Sequence, residues 1–442
     1  METLTNKRQH GSHNKTLTNK RQRRSDSPPA AGPRWLILNR CIDDEGGDTS
    51  VADAKTTAAS CTSSGKPFSI SFGIAAPPAC CSLHFHWLDG STPGDSDGKQ
   101  SKSEPGDVHV IAGHDDALLI QMRMRRVLNP NVQSGQPATT TTFDDYFLYE
   151  AGGGAARPPS LSLLPGFYIP VQSGYRSHCD PTPRFRYLSM ENTGILRRGK
   201  DDDDDDLVVC QFEMTRDPPI YNTAELCMLR IGRDREWIVK RVPIVEHCRE
   251  GSSELLQQPW HWWLSFIAHA AVPVGNRFLC WVDYNSGFIV CDMADEETPK
   301  LRYVPLPATK LRYRRCRCTL GAAGADAVRF VSVTPPPCSS FNVTIWTLTL
   351  STEEATTWVK DVVLDCDEIW KWRLPNYGRL PHDKHLEYPL VSSDDPDVIC
   401  FRMEGMAVQI NTRSKKLLSV IPSGSRDQHK LRDISIAAKL RW

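Results

Sequence analysis

The sequence predicts an all-β, β-propeller-like body of repeated antiparallel hairpins, or blades, behind a disordered basic N-terminal tail. Three observations predict it. Short apolar, aromatic-rich runs separated by polar turns recur along the chain. Asn276–Asp292 is one such hairpin: two apolar stretches flank Tyr284-Asn-Ser-Gly287, and Leu301–Pro307 begins the next strand. Units of this kind return every 45 to 60 residues or so, roughly the length of four strands with long loops. A β-sandwich is the alternative, but it gives no reason for a repeated order of hairpin then Trp.

Composition supports the same class. The chain has 442 residues, twelve Trp, 32 Pro and 28 Gly, which suits many short strands joined by turns. Its 53 basic and 53 acidic side chains cancel, so no overall field favours nucleic acid or an anionic membrane. No stretch reaches the roughly 18 apolar residues of a membrane helix. The first residues lack the apolar run of a signal peptide, so the expected location is intracellular, cytoplasmic or nuclear. Fifteen Cys, an odd number at irregular spacing, read as thiols in a reducing compartment. Cys227, Cys280, Cys291 and Cys400 read as small buried hydrophobes on strands.

Residues 1–32 are poor in apolar side chains, and Thr3–Gln9 recurs as Thr16–Gln22. Such a segment buries too little surface to offset its ordering entropy and is expected to be disordered. The propeller-like domain is expected over 33–422, with residues 423–442 closing or flanking it. Strands are predicted at Trp35–Leu38, Phe68–Phe72, Ser82–Trp87, Val108–Ile111, Ala117–Met122 and Asp145–Tyr149, each half-buried, with loops at 89–107, 129–142 and 151–159. From residue 207 the units are plainer: 207–245, 276–307, 327–364 and 397–421. Trp237 and Trp358 hold the same place in two of them, opening a strand after a polar turn.

Four stretches carry a family resemblance. They are Pro33–Leu38 with Ser69–Pro78, Asp145–Tyr149 with Ser160–Pro165, Leu279–Gly287 through Leu306-Pro307, and Tyr388–Ile399. Over about residues 33–422 the chain resembles the DUF1618 proteins of grasses, whose repeats are similar to plant F-box-associated, kelch-like propeller domains. The resemblance implies a propeller and brings no established activity, cofactor or catalytic residue. The F-box that would make such a propeller a ubiquitin-ligase adaptor is expected near the N-terminus, where this sequence has the basic tail.

No catalytic residue and no cofactor are assigned. Asp201–Asp206, within a loop placed at 199–206, has no Gly and none of the ligand spacing of a cation site, and reads as a solvated loop. His84 and His86 share one strand face, half of a zinc site, with Cys80 and Cys81 nearby; no CxxC completes it, and Cys316-x-Cys318 has the wrong spacing. Gly152-Gly-Gly154 and the span from Gly194 to Gly199 lack the strand–loop–helix setting of a phosphate cradle. Trp260, Trp262 and Trp263 are the densest aromatic cluster and the candidate partner-binding rim. Lys7, Arg8, Lys20, Arg21, Arg23 and Arg24 have the form of a two-part nuclear import signal. The basic stretch Lys310–Arg317 reads as a charged blade edge. The leading expectation is a non-enzymatic protein-interaction module that holds a protein partner on propeller loops. The alternatives are a nucleic-acid-associated nuclear factor, a ligase adaptor, and an enzyme with a site in the central channel.

Overall fold

Runs of β-branched and aromatic residues, broken by Gly, Asp and Asn at the turns, fold into antiparallel ladders wherever a second apolar run follows within a few residues. In the computed structural model, the residues described are 33–42, 53–88, 105–128, 139–153, 157–169, 184–199, 206–215, 222–246, 265–295, 297–307, 315–334, 341–351, 357–374, 378–381, 385–422 and 436–440. Residues 33–442 group as one unit and are treated by themselves.

Among the described residues the chain forms six four-stranded units in succession. The first comprises β1 (Leu36–Ile42), β2 (Ala58–Cys61), β3 (Pro67–Gly73) and β4 (Cys80–Trp87), with β1 parallel to β4 and the rest antiparallel. The second is the meander β5 (Pro105–His114), β6 (Ala117–Leu128), β7 (Thr139–Glu150) and β8 (Ser160–Leu163), followed by the two-residue pair β9 (Tyr168–Ile169) and β10 (Arg184–Phe185). The third is β11 (Thr193–Arg198), β12 (Asp206–Met214), β13 (Thr223–Arg230) and β14 (Ile238–Glu246). The fourth is β15 (Ala270–Val274), β16 (Phe278–Asp283), β17 (Gly287–Asp292) and β18 (Lys300–Pro305). The fifth is β19 (Cys318–Ala322), β20 (Ala327–Val333), β21 (Asn342–Thr349) and β22 (Val359–Asp365). A short helix α1 (Cys366–Ile369) and the pair β23 (Arg373–Leu374) and β24 (Gly378–Arg379) lead to the sixth, β25 (Glu387–Val391), β26 (Val398–Met403), β27 (Met406–Asn411) and β28 (Lys416–Pro422).

The apolar core lies between units, one cluster per seam. Alternate residues of a strand serve opposite seams: Leu207 and Val209 of β12 pack toward the second blade, while Val208, Cys210 and Phe212 pack toward the fourth. This face-to-face stacking around a ring makes the fold a β-propeller-like one. The ring closes where β29 (Ile436–Ala438) pairs antiparallel with β1, Leu36 opposite Ala438, and Trp35 and Ile37 pack on Val398 and Cys400 of the sixth blade. The outer strands β14 and β18 pair in parallel, Ile244 opposite Leu301, so the third and fourth blades share one eight-stranded sheet.

Stacking also corrects several expectations. β3 is buried on both faces, with Ser69 and Ser71 as enclosed as Phe68, Ile70 and Phe72, because protein covers both sides of a mid-blade strand. Strand extends into two predicted loops: β5 begins at Pro105, and the β-branched run Thr139–Thr142 opens β7. Asp206 is no part of a solvated loop. It is the first residue of β12, buried between Arg198 at 3.8 Å and Arg233 at 3.5 Å. Arg315–Arg317 form a 3-10 turn rather than an edge strand, and Arg317 lies 3.8 Å from Glu387.

Candidate functional site

The innermost strands β5, β11, β15, β19 and β25 each turn back antiparallel into the second strand of their blade. Near the axis the blades crowd together, and small residues are required. A Cβ on Gly194 of β11 would stand 2.9 Å from Leu279 of the fourth blade. One on Gly321 of β19 would stand 2.6 Å from Val391 of the sixth. Ala270, Ala271, Ala322, Ala437 and Ala438 fill comparable places.

These short side chains leave a cavity of about 580 Å³ along the axis. Its wall includes Arg40 of β1, Ile111–His114 of β5, Ala270–Pro273 of β15, Thr319–Ala322 of β19, Leu390 and Val391 of β25, and Ile436–Ala438 of β29. Its mouth carries Asp115, Asn276, Ser392, Ser393, Asp394 and Lys439. The lining is mostly apolar with charges of both signs, which is the usual make-up of a ligand cleft.

The polar groups are largely committed to structure. Arg40 is buried and donates through Nη1 to the Ile111 carbonyl at 3.1 Å. His114 accepts the Arg197 amide on Nδ1 at 2.9 Å, and its Nε2 lies 3.9 Å from the Asp115 carboxylate. Burial pushes the His114 pKa down from its ordinary value; the Arg197 and Lys439 charges act in the same direction, and Asp115 against them. The ring is therefore a neutral acceptor. Tyr284 accepts the Leu320 amide on its hydroxyl at 3.4 Å. Ser392 Oγ accepts the amides of Asp394 and Asp395 at 3.1 and 3.2 Å, forming the turn at the mouth.

A second, more open cleft of about 610 Å³ lies at the other end of β11 and β15. Phe212, Met214, Phe266 and Ile267 wall it, with Ile267 61% exposed. Arg186 crosses it, 2.8 Å from Glu225 and 3.1 Å from Glu213, and Arg241 holds Glu225 from the far side at 2.9 Å. These two Arg, together with burial working against them, leave the Glu225 carboxyl below its usual range.

The predicted site residues fare unevenly. Trp260, Trp262 and Trp263 lie outside the described residues, as do Asp201–Asp205, residues 310–314, the whole tail 1–32 and with it Lys7, Arg8, Lys20, Arg21, Arg23 and Arg24. The connection that carries the three Trp joins β14 to β15, and Phe266–Ala268 near its end border the open cleft. His84 and His86 both sit on β4, with Ser82 2.8 Å from His84 Nε2. Cys80 and Cys81 are turned to other partners: the Cys81 sulfur lies 3.3 Å from the Ala75 amide and the Cys80 sulfur 3.2 Å from Arg402. Among the described residues, the donors close enough to share an ion are Asp365, Cys366 and Asp367, where Asp365 caps α1 through the Asp367 amide.

A central-channel site is among the alternatives the sequence offers, but no residue of the axial cavity is marked in it. Its wall is assembled from residues more than 300 positions apart, each small and unremarkable in its own segment. The Asn276–Asp292 hairpin has a structural part. Trp281 is fully buried and donates Nε1–H to the Asn192 carbonyl at 2.8 Å. Asp283 accepts the Asn285 amide and the Ser286 hydroxyl, both at 2.9 Å, closing the β16–β17 turn.

No curated protein matches the chain. Similar solved structures include Drosophila Plexin A in complex with Semaphorin 1b, at 10% identity over 82% of this chain and 72% of that one, with a TM-score of 0.16. Another is extracellular domains 1–2 of Drosophila Semaphorin 1b, at 10% identity over 81% of this chain and 63% of that one, also with a TM-score of 0.16. Scores this low carry no argument. Residues 281–400, from the buried Trp281 of the fourth blade to Cys400 in the sixth, match the model of a family described as protein of unknown function (DUF1618), and this match supports the DUF1618 family for the chain.

Proposed function

We propose that the protein is a non-enzymatic interaction module that holds a peptide segment of a partner protein at the mouth of the axial cavity. The observation that carries this reading is the cavity itself, about 580 Å³, with small apolar walls and Arg40, Lys439, Asp115 and Asp394 around it. Its volume lies in the range of pockets that enclose ligands, and an apolar wall favours the burial of one or two side chains. Paired positive and negative groups suit a peptide backbone and mixed side chains better than a polyanion. The engagement of His114 and Ser392 in structural hydrogen bonds is in keeping with binding rather than proton transfer.

A photoreactive side chain at Asn276, on the cavity mouth, tests the reading against one at Ile238, on the outer strand β14. A partner protein should cross-link at position 276 and not at 238, and Val272→Trp, which fills the cavity, should abolish that product. Equal cross-linking at both positions, or a product insensitive to Val272→Trp, would refute it.

A further inference from the structure

The seam between the sixth and first blades holds two thiols from distant parts of the chain. Cys80 of β4 and Cys400 of β26 belong to one small cluster with Trp35, Ile37, Val398 and Ala437. Arg402, two residues beyond Cys400 on the same strand, reaches across and donates Nη2–H to the Cys80 sulfur at 3.2 Å. Cys80 is half-buried and Cys400 buried, so a small solute has a route to the first and not to the second. The neighbouring Cys81 does not compete, because its sulfur is held against the amide of Ala75.

A guanidinium N–H directed at sulfur bonds more strongly to the thiolate than to the thiol, and the thiolate is the form that attacks electrophiles. Burial, with the Cys80 charge adding to it, pushes the Cys400 thiol up, so Cys400 keeps its proton until a reaction removes it. The roles follow from position: the half-buried Cys80 sulfur is the one reached from solvent, and the buried Cys400 belongs to the same cluster.

We propose that Cys80 is a peroxide-reactive thiol, favoured by Arg402, and that Cys400 resolves it to a disulfide across the closing seam. In the first step the Cys80 thiolate attacks one oxygen of hydrogen peroxide; an S–O bond forms, the O–O bond breaks, and hydroxide leaves, taking up a proton to become water. Cys80 is then a sulfenic acid. In the second step Cys400 loses its proton and its sulfur attacks Cys80; the S–S bond forms, the S–O bond breaks, and a second water leaves. Two thiols lose two electrons, and one peroxide gains them. The product ties the N-terminal blade covalently to the C-terminal one, at the closure where the short β29–β1 ladder pairs the backbone among the described residues.

The full chain is exposed to hydrogen peroxide, alkylated without reduction, digested and analysed by mass spectrometry. The expected product is a peptide pair joined through Cys80 and Cys400, lighter than the separate peptides by two hydrogens. In Cys400→Ser, Cys80 should accumulate as a sulfenic acid that a dimedone probe captures. Arg402→Leu should slow that capture about tenfold, the effect of removing one stabilising charge, while Arg402→Lys restores much of it. The exposed Cys61 serves as internal reference, and its labelling should be indifferent to position 402. Labelling of Cys80 no faster than Cys61, or unchanged in Arg402→Leu, would overturn the activation. Stable sulfenic acid on Cys80 in the unmutated chain, with no linked peptide, would overturn the resolving role of Cys400.

Discussion

Trp358 donates its indole N–H to the carbonyl of Pro305 at 2.8 Å, and Trp237 makes the equivalent bond to Pro165 at 3.1 Å. Each Trp stands just before the outermost strand of its blade, and each proline ends or follows the outermost strand of the blade before it. The shared position read in the sequence is therefore a fastening between blades. Trp358 also lies edge-on to Phe288 and Phe330, at 6.2 Å in both cases. Replacement by Phe keeps the ring and removes the donor. Trp358→Phe and Trp237→Phe should each lower unfolding stability by about 1 kcal/mol, the net value of one such bond. The loss should be larger at the buried Trp237, as read from denaturation midpoints.

Gly287 reads in the sequence as a turn glycine, yet it is the first residue of β17 and its need is for space. A Cβ there would lie 2.5 Å from the Val304 carbonyl oxygen and 2.6 Å from the Tyr303 hydroxyl. Gly287→Ala should cost about 1–3 kcal/mol by overpacking. Gly232 has a φ of +80° and nothing within 4 Å of the added carbon, so Gly232→Ala should cost about 1–2 kcal/mol through the backbone alone. Thermal melts separate the causes: Tyr303→Phe beside position 287 should partly rescue Gly287→Ala, whereas Gly232→Ala has no neighbour to shorten and should melt lower whatever surrounds it.

Arg329 is buried and bridges the fifth and sixth blades. Its Nη1 donates to Asp397 at 2.6 Å, and its Nη2 lies 3.6 Å from Asp361. Asp397 also meets Arg413, whose side chain is 78% exposed. Arg329→Ala takes the buried guanidinium away from the half-buried Asp397 and the exposed Asp361 and should lower stability by about 1–3 kcal/mol. Arg413→Ala, acting on the same carboxylate from solvent, should change it by about 1 kcal/mol or less. Equal losses in chemical denaturation would contradict this ordering.

His114 gives the protein an acid sensitivity with a definite sign. Burial, aided by Arg197 and Lys439 and opposed by Asp115 and Asp116, holds its folded pKa below the ordinary 6.5. The unfolded chain thus takes up the proton first. The contribution is fully present above about pH 6.5 and is lost as pH falls toward the folded pKa, with a slope of up to about 1.4 kcal/mol per pH unit. His114→Gln, whose amide oxygen can still accept the Arg197 N–H, should flatten this slope in denaturation series from pH 7.5 to 5. An unchanged slope would exclude His114 as its source.

Three strands of each later blade were legible in the sequence, and the fourth was not. The units at 207–245, 276–307, 327–364 and 397–421 correspond to β12–β14, β16–β18, β20–β22 and β26–β28. The strand missed in the repeat pattern is the innermost each time: Thr193–Arg198, Ala270–Val274, Cys318–Ala322 and Glu387–Val391. The reason is geometric. These four strands run only five or six residues and must admit their neighbours, so they carry Gly194, Ala270, Ala271, Pro273, Gly321, Ala322 and Pro389, residue types with little strand signal. Three of them, β15, β19 and β25, wall the cavity, so the property that hides them from a sequence reading is the one that makes the candidate site. Asp206 was hidden for another reason: five identical neighbours masked the one carboxylate whose partners are Arg198 on the adjacent strand β11 and Arg233 in the β13–β14 turn.

The parallel join of β14 to β18 has a consequence for how such a chain can change over generations. Repeat proteins commonly grow and shrink by whole units, since each unit touches only its neighbours across side chains. Between the third and fourth blades the backbones themselves are joined, at Ile244–Leu301, Val245–Arg302 and Glu246–Tyr303. A blade inserted there would have to break that ladder, whereas one inserted between the fifth and sixth would only repack a seam. The first and second blades are joined through the backbone too, at Cys41–His109, so insertion of a blade disturbs least at the seams held by side chains alone.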